Sequence, residues 1–211
     1  MTGVPPGARV FCIGRNYADH AKELNNPVPA APVVFMKPAA CLVPPGEPLR
    51  FPPHGEDLQH EVEIVVRVGD GGADITEDEA LDRLDAITVG FDLTLRDVQQ
   101  RLKAKGLPWE QAKAFEGAAP LGEFVPIDRV DPVDLRFHCD IGGERRQSGH
   151  TADMLFPIPR LVAHLSAIWT LAPGDLIYTG TPAGVGPVRP GDRLVAAAEG
   201  IGEFAWDVLG R

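Results

Sequence analysis

The chain has 211 residues, 44% hydrophobic and 24% charged, a balance that fits a globular domain with its own core and argues against a disordered chain. Its 30 acidic against 20 basic residues give a formal charge of −10, which argues against general affinity for nucleic acid or an anionic membrane surface. Three scattered cysteines without a CxxC point away from a disulfide framework or zinc knuckle, and the opening MTGVPPGARVFCIG has no apolar run suited to a signal peptide or transmembrane helix, so a reducing, cytoplasmic setting is expected.

Glycine (23) and proline (21) are spread along the chain, predicting many short strands joined by turns. No repeat or boundary interrupts residues 1–211, which are expected to form one domain, with the proline-rich residues 1–50 including a wrapping or mobile lid segment. Strands are predicted at 10–13, 33–37, 62–68, 86–92, 135–141, 176–179, 193–197 and 204–208. Helical periodicity falls at 78–84, at 95–105 with Gly106 as stop, and at 161–169, where Leu161, Leu165, Ile168 and Trp169 share a face. The class is α+β, mostly β, with the helices covering sheets.

Several stretches carry chemistry. Residues 14–24, GRNYADHAKEL, read as a turn entering a short helix on which His20 and Glu23 are neighbours. A carboxylate beside an imidazole fixes its tautomer and raises its basicity, as a general base requires, although a plain surface pair has the same spacing. The strand HEVEIVV places Glu61 and Glu63 on one side, which suits either a cation site or a solvated face with Val62, Ile64 and Val66 inward. Asp92 ends an apolar strand before a helix. It is either a helix cap or a third oxygen ligand for a hard ion such as Mg²⁺ or Mn²⁺.

Positive charge for an anionic ligand is available at Arg15, Lys37, Arg96 and Lys113, unless the two lysines snorkel to solvent. The turn YTGTPAGVG (178–186) offers backbone N–H groups and two hydroxyls to a carboxylate, and it is neither a P-loop nor a dinucleotide fingerprint. Asp70–Asp74 reads as a hairpin turn, and His54, His138, His150 and His164 read as structural or surface residues.

Together these segments resemble the small single-domain branch of the fumarylacetoacetate hydrolase family, the acylpyruvate hydrolases and oxaloacetate decarboxylases. The likeness rests on GRNYADHAKE (14–23), FMKP (35–38), HEVEIV (60–65), GFDLTLRDVQ (90–99), KGLPWEQAKAFEG (105–117), QSGHTADMLF (147–156) and GDLIYTGTPAGVG (174–186). The resemblance implies a fold of layered mixed β-sheets with a few helices, usually a homodimer. It also implies Mg²⁺ or Mn²⁺ held by Glu61, Glu63 and Asp92, a catalytic His20–Glu23 pair on a lid, Lys113 in the site, and substrate contacts from Arg15, Lys37, Arg96, Gln99 and Thr181. The activity implied is hydrolysis of a C–C bond in a small 2,4-dioxo acid such as fumarylpyruvate or acetylpyruvate, with His20 activating water, Lys113 stabilising the oxyanion and the ion as electron sink. Oxaloacetate decarboxylation needs the same sink without the water. Alternatives are an isomerase or decarboxylase of 2-hydroxy-dienedioates and a non-catalytic oxo-acid-binding protein.

Overall fold

The computed structural model describes residues 4–5, 7–24 and 27–211. Its first half contains β1 (Arg9–Gly14), α1 (Ala18–Glu23), β2 (Val33–Pro38), β3 (Leu58–His60), β4 (Val62–Val68), β5 (Leu84–Phe91), α2 (Arg96–Ala104) and α3 (Glu110–Lys113). There follow β6 (Val125–Pro126), β7 (Arg136–Ile141), β8 (Glu144–His150), α4 (Ile158–Ser166), β9 (Leu176–Tyr178), β10 (Arg193–Ala198) and β11 (Gly202–Leu209). Each predicted strand coincides with one of these, the largest offset being two residues, at Leu84 and Gly202.

A six-stranded mixed sheet has the order β6-β5-β4-β9-β1-β2, antiparallel throughout except where β9 runs parallel to β1. A second sheet has the order β8-β7-β10-β11 and ends on Leu49–Arg50. The main core lies between them: Val62, Ile64 and Val66 of β4 join Phe137, Leu194 and Trp206, and Trp206 meets Phe91 edge-on at 5.8 Å. On the other side of β4, Val65 joins Val10, Cys12 and Tyr178 in a separate apolar cluster. Both faces of β4 are therefore covered, the environment of a strand read as a nearly continuous apolar run.

Several sequence expectations are corrected. The helix expected at 78–84 is a 3₁₀ turn at Leu81–Arg83, because Leu84 pairs with Val68 and draws the chain into β5. Helix α4 starts three residues earlier than expected and ends at Ser166, so Ile168 is exposed at 55% and Trp169 packs on Phe11 beyond the helix. Asp70–Asp74 is no tight hairpin: it lies in the wide β4–β5 connection, where Gly72 and Leu171 exchange backbone hydrogen bonds. Within residues 1–50, β1 lies inside the large sheet between β9 and β2. No helix among the described residues is long and apolar enough to cross a membrane.

Candidate active site

Glu61 stands between β3 and β4, and this junction is held from β8. Gln147 accepts the Val62 N–H at 3.0 Å and faces His60 Nδ1 at 2.9 Å, while its amide donates to Thr181 Oγ1 and the Pro182 carbonyl. Asp92 follows β5, and its N–H donates to the Glu61 carbonyl at 2.8 Å, so the ladder that pairs Val62 with Phe91 brings both acids to one place. Each of Glu61, Glu63 and Asp92 offers a carboxylate oxygen, and these oxygens all lie within 4.8 Å of one another. All three residues are buried, at 5%, 1% and 1% exposure, which removes the solvated-face reading of HEVEIVV. Asp92 caps no helix either, for α2 begins at Arg96 with Leu95 as its cap residue.

Three like charges in such a space repel, and buried cations answer two of them. Arg96 pairs with Glu61, and Lys113 Nζ lies 2.8 Å from Glu61 Oε2 and 2.7 Å from Asp92 Oδ2. Lys37 Nζ sits 2.7 Å from Asp92 Oδ1 but directs its hydrogen bonds to the Leu93 and Ala118 carbonyls, so Oδ1 receives no hydrogen bond of good geometry. Neither lysine snorkels: both are buried. Burial disfavours the Glu61 carboxylate, but Lys113 and Arg96 outweigh it and hold its pKa well below the usual range. Burial likewise opposes the Lys113 ammonium, yet Asp92 and Glu61 prevail and raise its pKa. Glu63 is pushed well up by burial, then by Asp92 and Glu61, against one hydrogen bond from the Gly180 N–H.

The turn after β9 does hold carboxylates, but they are the protein's own. Gly180 N–H donates to Glu63 Oε2 at 2.8 Å, and Gly184 N–H donates to Glu23 Oε1 at 3.0 Å. Thr179 and Thr181 donate their hydroxyls to the Ile64 and Val62 carbonyls, stitching the turn to β4. Above it, helix α1 carries His20, whose Nδ1 lies 3.3 Å from Glu23 Oε2. His20 is buried and its pKa is lowered, chiefly by burial, against the opposing pull of Glu61 and Glu23. The segment before α1 is anchored by Asn16, which bonds the Phe156 backbone and the Thr179 carbonyl.

A cavity of about 160 Å³ opens over this floor. Glu61, Glu63, Lys113 and His20 line it, and so do Arg15, Arg96, Gln99 and Thr181. Lys37 and Asp92 lie behind the lining, and Glu23 reaches the cavity through His20. Size alone does not mark the site, since a hollow of about 550 Å³ beside Leu42 and Phe51 lacks such a cluster of converging acids. The sequence reading missed Gln147, Gln100, Lys103 and the aromatic wall of Phe35 and Trp109, whose rings lie 6.0 Å apart. For Gln100 and Lys103 the signal was present, as the helical stripe that continues from Arg96. All three cysteines are buried free thiols, and burial pushes Cys139 up to about 12.

A floor of converging carboxylates, countercharged by Arg96, Lys113 and Lys37 and with an imidazole on a short helix at the same cavity, is an arrangement suited to acid–base chemistry, set in layered mixed sheets. The chain belongs to the fumarylacetoacetate (FAA) hydrolase C-terminal family, whose profile matches residues 9–209, and within it to the small single-domain branch. It is 43% identical over 196 residues to the mouse (Mus musculus) protein named oxaloacetate tautomerase FAHD1, mitochondrial, covering 92% of this chain and 89% of that one. Among solved structures, fumarylpyruvate hydrolase from Pseudomonas aeruginosa in complex with Mn²⁺ and pyruvate superposes with a TM-score of 0.93 at 38% identity, over 98% of this chain and 91% of that one. The 5-carboxymethyl-2-hydroxymuconate delta-isomerase of Mycobacterium smegmatis superposes at 0.87 with 34% identity, over 98% and 80%.

Proposed function

We propose that this chain is a divalent-metal-dependent enzyme that cleaves a C–C bond in a small 2,4-dioxo acid, an acylpyruvate, and that Glu61, Glu63 and Asp92 hold Mg²⁺ or Mn²⁺. The observation that carries this reading is the buried triad itself, three hard oxygen donors within 4.8 Å of one another with an Asp92 oxygen short of a hydrogen bond. The Mn²⁺ and pyruvate named for the Pseudomonas aeruginosa relative support it. When bound, the ion supplies the positive charge against which a 2-oxo acid is oriented and enolate charge is stabilised.

The side chains do the rest. His20 is kept neutral by burial and oriented by Glu23, so it takes a proton from the water that attacks the distal carbonyl. As the new C–O bond matures, the C–C bond to the pyruvate fragment breaks and its electron pair passes into the enolate. His20 returns the proton to that carbon, giving a carboxylic acid and a 2-oxo acid. Lys113 faces the oxygen on which charge develops, a contribution of about 3–4 kcal/mol. Arg15, Arg96, Gln99 and Thr181 contact the substrate, whereas Lys37 acts from behind through its ion pair with Asp92. The working unit is a homodimer, checked by light scattering.

A second reading has an observation of its own, the name of the mouse relative. If His20 only moves a proton between carbon and oxygen, the same site interconverts keto and enol forms of oxaloacetate, and the related shuttle isomerises 2-hydroxy-dienedioates. Decarboxylation of oxaloacetate uses the same enolate, while a protein that merely binds oxo acids needs no buried base.

Turnover of acetylpyruvate, fumarylpyruvate and oxaloacetate under defined Mg²⁺ separates these readings. His20→Ala is expected to lose about 10²–10⁴ in hydrolysis, and chelator-treated protein to lose its rate until Mg²⁺ returns. Full hydrolysis by His20→Ala would remove the assigned base, and a chelator-resistant rate would remove the ion. Enol–keto interconversion without any cleavage favours the second reading.

A further inference from the structure

Gln147 lies on β8, the edge strand of the second sheet, yet its side chain reaches across to the large sheet. It is buried, and its amide makes four hydrogen bonds with nitrogen and oxygen atoms, all that such a group can make. The Cys139 thiol adds a long contact to Oε1 at 3.6 Å. Backbone partners fix which way the amide points. Only an acceptor answers the Val62 N–H, so Oε1 faces it at 3.0 Å, and only a donor answers the Pro182 carbonyl, so Nε2 faces it at 2.8 Å. His60 Nδ1, 2.9 Å from Oε1, must therefore be a donor. The remaining amide proton goes to Thr181 Oγ1 at 2.8 Å, and that hydroxyl donates onward to the Val62 carbonyl.

Oε1 thus takes hold of the chain on both sides of Glu61, through the His60 ring and the Val62 N–H, while Nε2 takes hold of the turn after β9. Glu61 and Thr181 both line the cavity, whereas Gln147 does not. The close approach of this turn to β8 is built into the backbone: Gly184 has a φ of 99°, and a Cβ there would lie 2.3 Å from the Arg146 carbonyl oxygen. The space that Gln147 fills asks for an amide rather than for bulk. An apolar side chain of similar length fills it too, but leaves the Val62 N–H and the Pro182 carbonyl without this partner, so the junction and the turn must each shift to find another.

We infer that Gln147 is a positioning residue: its amide fixes Glu61 and Thr181 relative to each other, so that the floor presents a metal ligand and the wall presents a hydroxyl in one register. This rests on the reading of the floor as a Mg²⁺ or Mn²⁺ site, and it adds a residue outside the cavity that acts through both sides of it. A bond that served stability alone would lower Tm on removal and leave metal affinity and KM where they are. A bond that sets the register moves all three, because Glu61 and Thr181 lose their common support.

The test titrates metal-free protein with Mg²⁺ in a calorimeter, well below Tm, and measures KM for whichever of acetylpyruvate, fumarylpyruvate and oxaloacetate the wild type turns over fastest. Gln147→Met is expected to weaken Mg²⁺ binding by about tenfold or more and to raise KM. Adding Thr181→Val to Gln147→Met should weaken Mg²⁺ binding no further, because both changes break the same chain of bonds. Circular dichroism establishes that the variants fold. Wild-type Mg²⁺ affinity in Gln147→Met overturns the inference, and so do effects of the two changes that multiply in full. If Gln147→Met does not fold, Gln147→Glu decides: it keeps an acceptor for Val62 and His60 but has no NH₂ group for Thr181, so KM must rise while most of the Mg²⁺ affinity stays, and a wild-type KM overturns the inference. In either case the wild type binds Mg²⁺ and the metal reading stands. Wild-type protein that binds no Mg²⁺ is the separate outcome in which that reading fails and the inference falls with it.

Discussion

Glu63 is the acid of the floor that no described cation pairs with: Arg96 and Lys113 answer Glu61, Lys113 and Lys37 answer Asp92, and Glu63 accepts the Gly180 N–H. Burial and its two acidic neighbours raise its pKa well above the ordinary carboxylate range, so without a metal it tends to keep a proton. A divalent ion on the floor competes with that proton. Uptake of Mg²⁺ is therefore expected to release protons and to tighten as pH rises through the raised pKa. Calorimetry in buffers of different ionisation enthalpy measures the release directly. Glu63→Gln should abolish it and weaken Mg²⁺ binding by about tenfold or more. Identical apparent enthalpies in every buffer would contradict the assignment of Glu63 as the protonated member.

At the scale of elements, the turn after β9 ties the floor to helix α1, because Gly180 holds Glu63 and Gly184 holds Glu23. Gly180 has a φ of 101°, and a Cβ there would lie 2.5 Å from the Cβ of Asn16, the anchor of the segment before α1. Gly180→Ala is thus expected to cost about 1–3 kcal/mol. At about 2–4 °C per kcal/mol for a chain of this size, Tm falls by several degrees, and Mg²⁺ affinity falls with it. A variant with wild-type Tm and wild-type Mg²⁺ affinity would show that the turn does not position Glu63. This turn also marks the limit of what the sequence displays. The strands were legible because alternation and β-branched runs are local, and the acids of HEVEIVV and GFD stood out within them. Their burial was not legible, since it follows from elements distant in the chain that close over them, the turn after β9, α2 and α3. Nor was the hold on Glu63, whose donor lies 117 residues away, or the support from Gln147, 85 residues from Val62. Local periodicity misled at 78–84, where pairing with Val68 outweighed helical spacing.

For the molecule as a whole, these buried groups set how stability depends on acid. His20 and His60 are both buried, and burial, as the largest cause, lowers the pKa of each despite nearby Glu61 and their hydrogen-bond partners. In the unfolded chain both titrate near the ordinary value, about 6.5. As pH falls through that value the unfolded chain takes up protons that the folded one refuses, so the equilibrium shifts toward unfolding until the lowered native pKa values are reached. Glu61, held low by Lys113 and Arg96, has the same sign at more acid pH, because its ion pairs are lost only when it protonates. Glu63 has the opposite sign: with its pKa raised, metal-free protein loses stability as pH rises through it. Thermal scans of metal-free protein should therefore show Tm declining from neutral pH toward pH 5, and the combined His20→Gln, His60→Gln variant should flatten that decline. Saturating Mg²⁺ should raise Tm more on the alkaline side, where Glu63 is ready to be a carboxylate, than on the acid side, where the proton competes. At a hundredfold excess over Kd the ion contributes about 2.7 kcal/mol, enough to read as a shift of several degrees. A decline of unchanged steepness in the histidine variant would place the acid sensitivity in groups other than these two histidines.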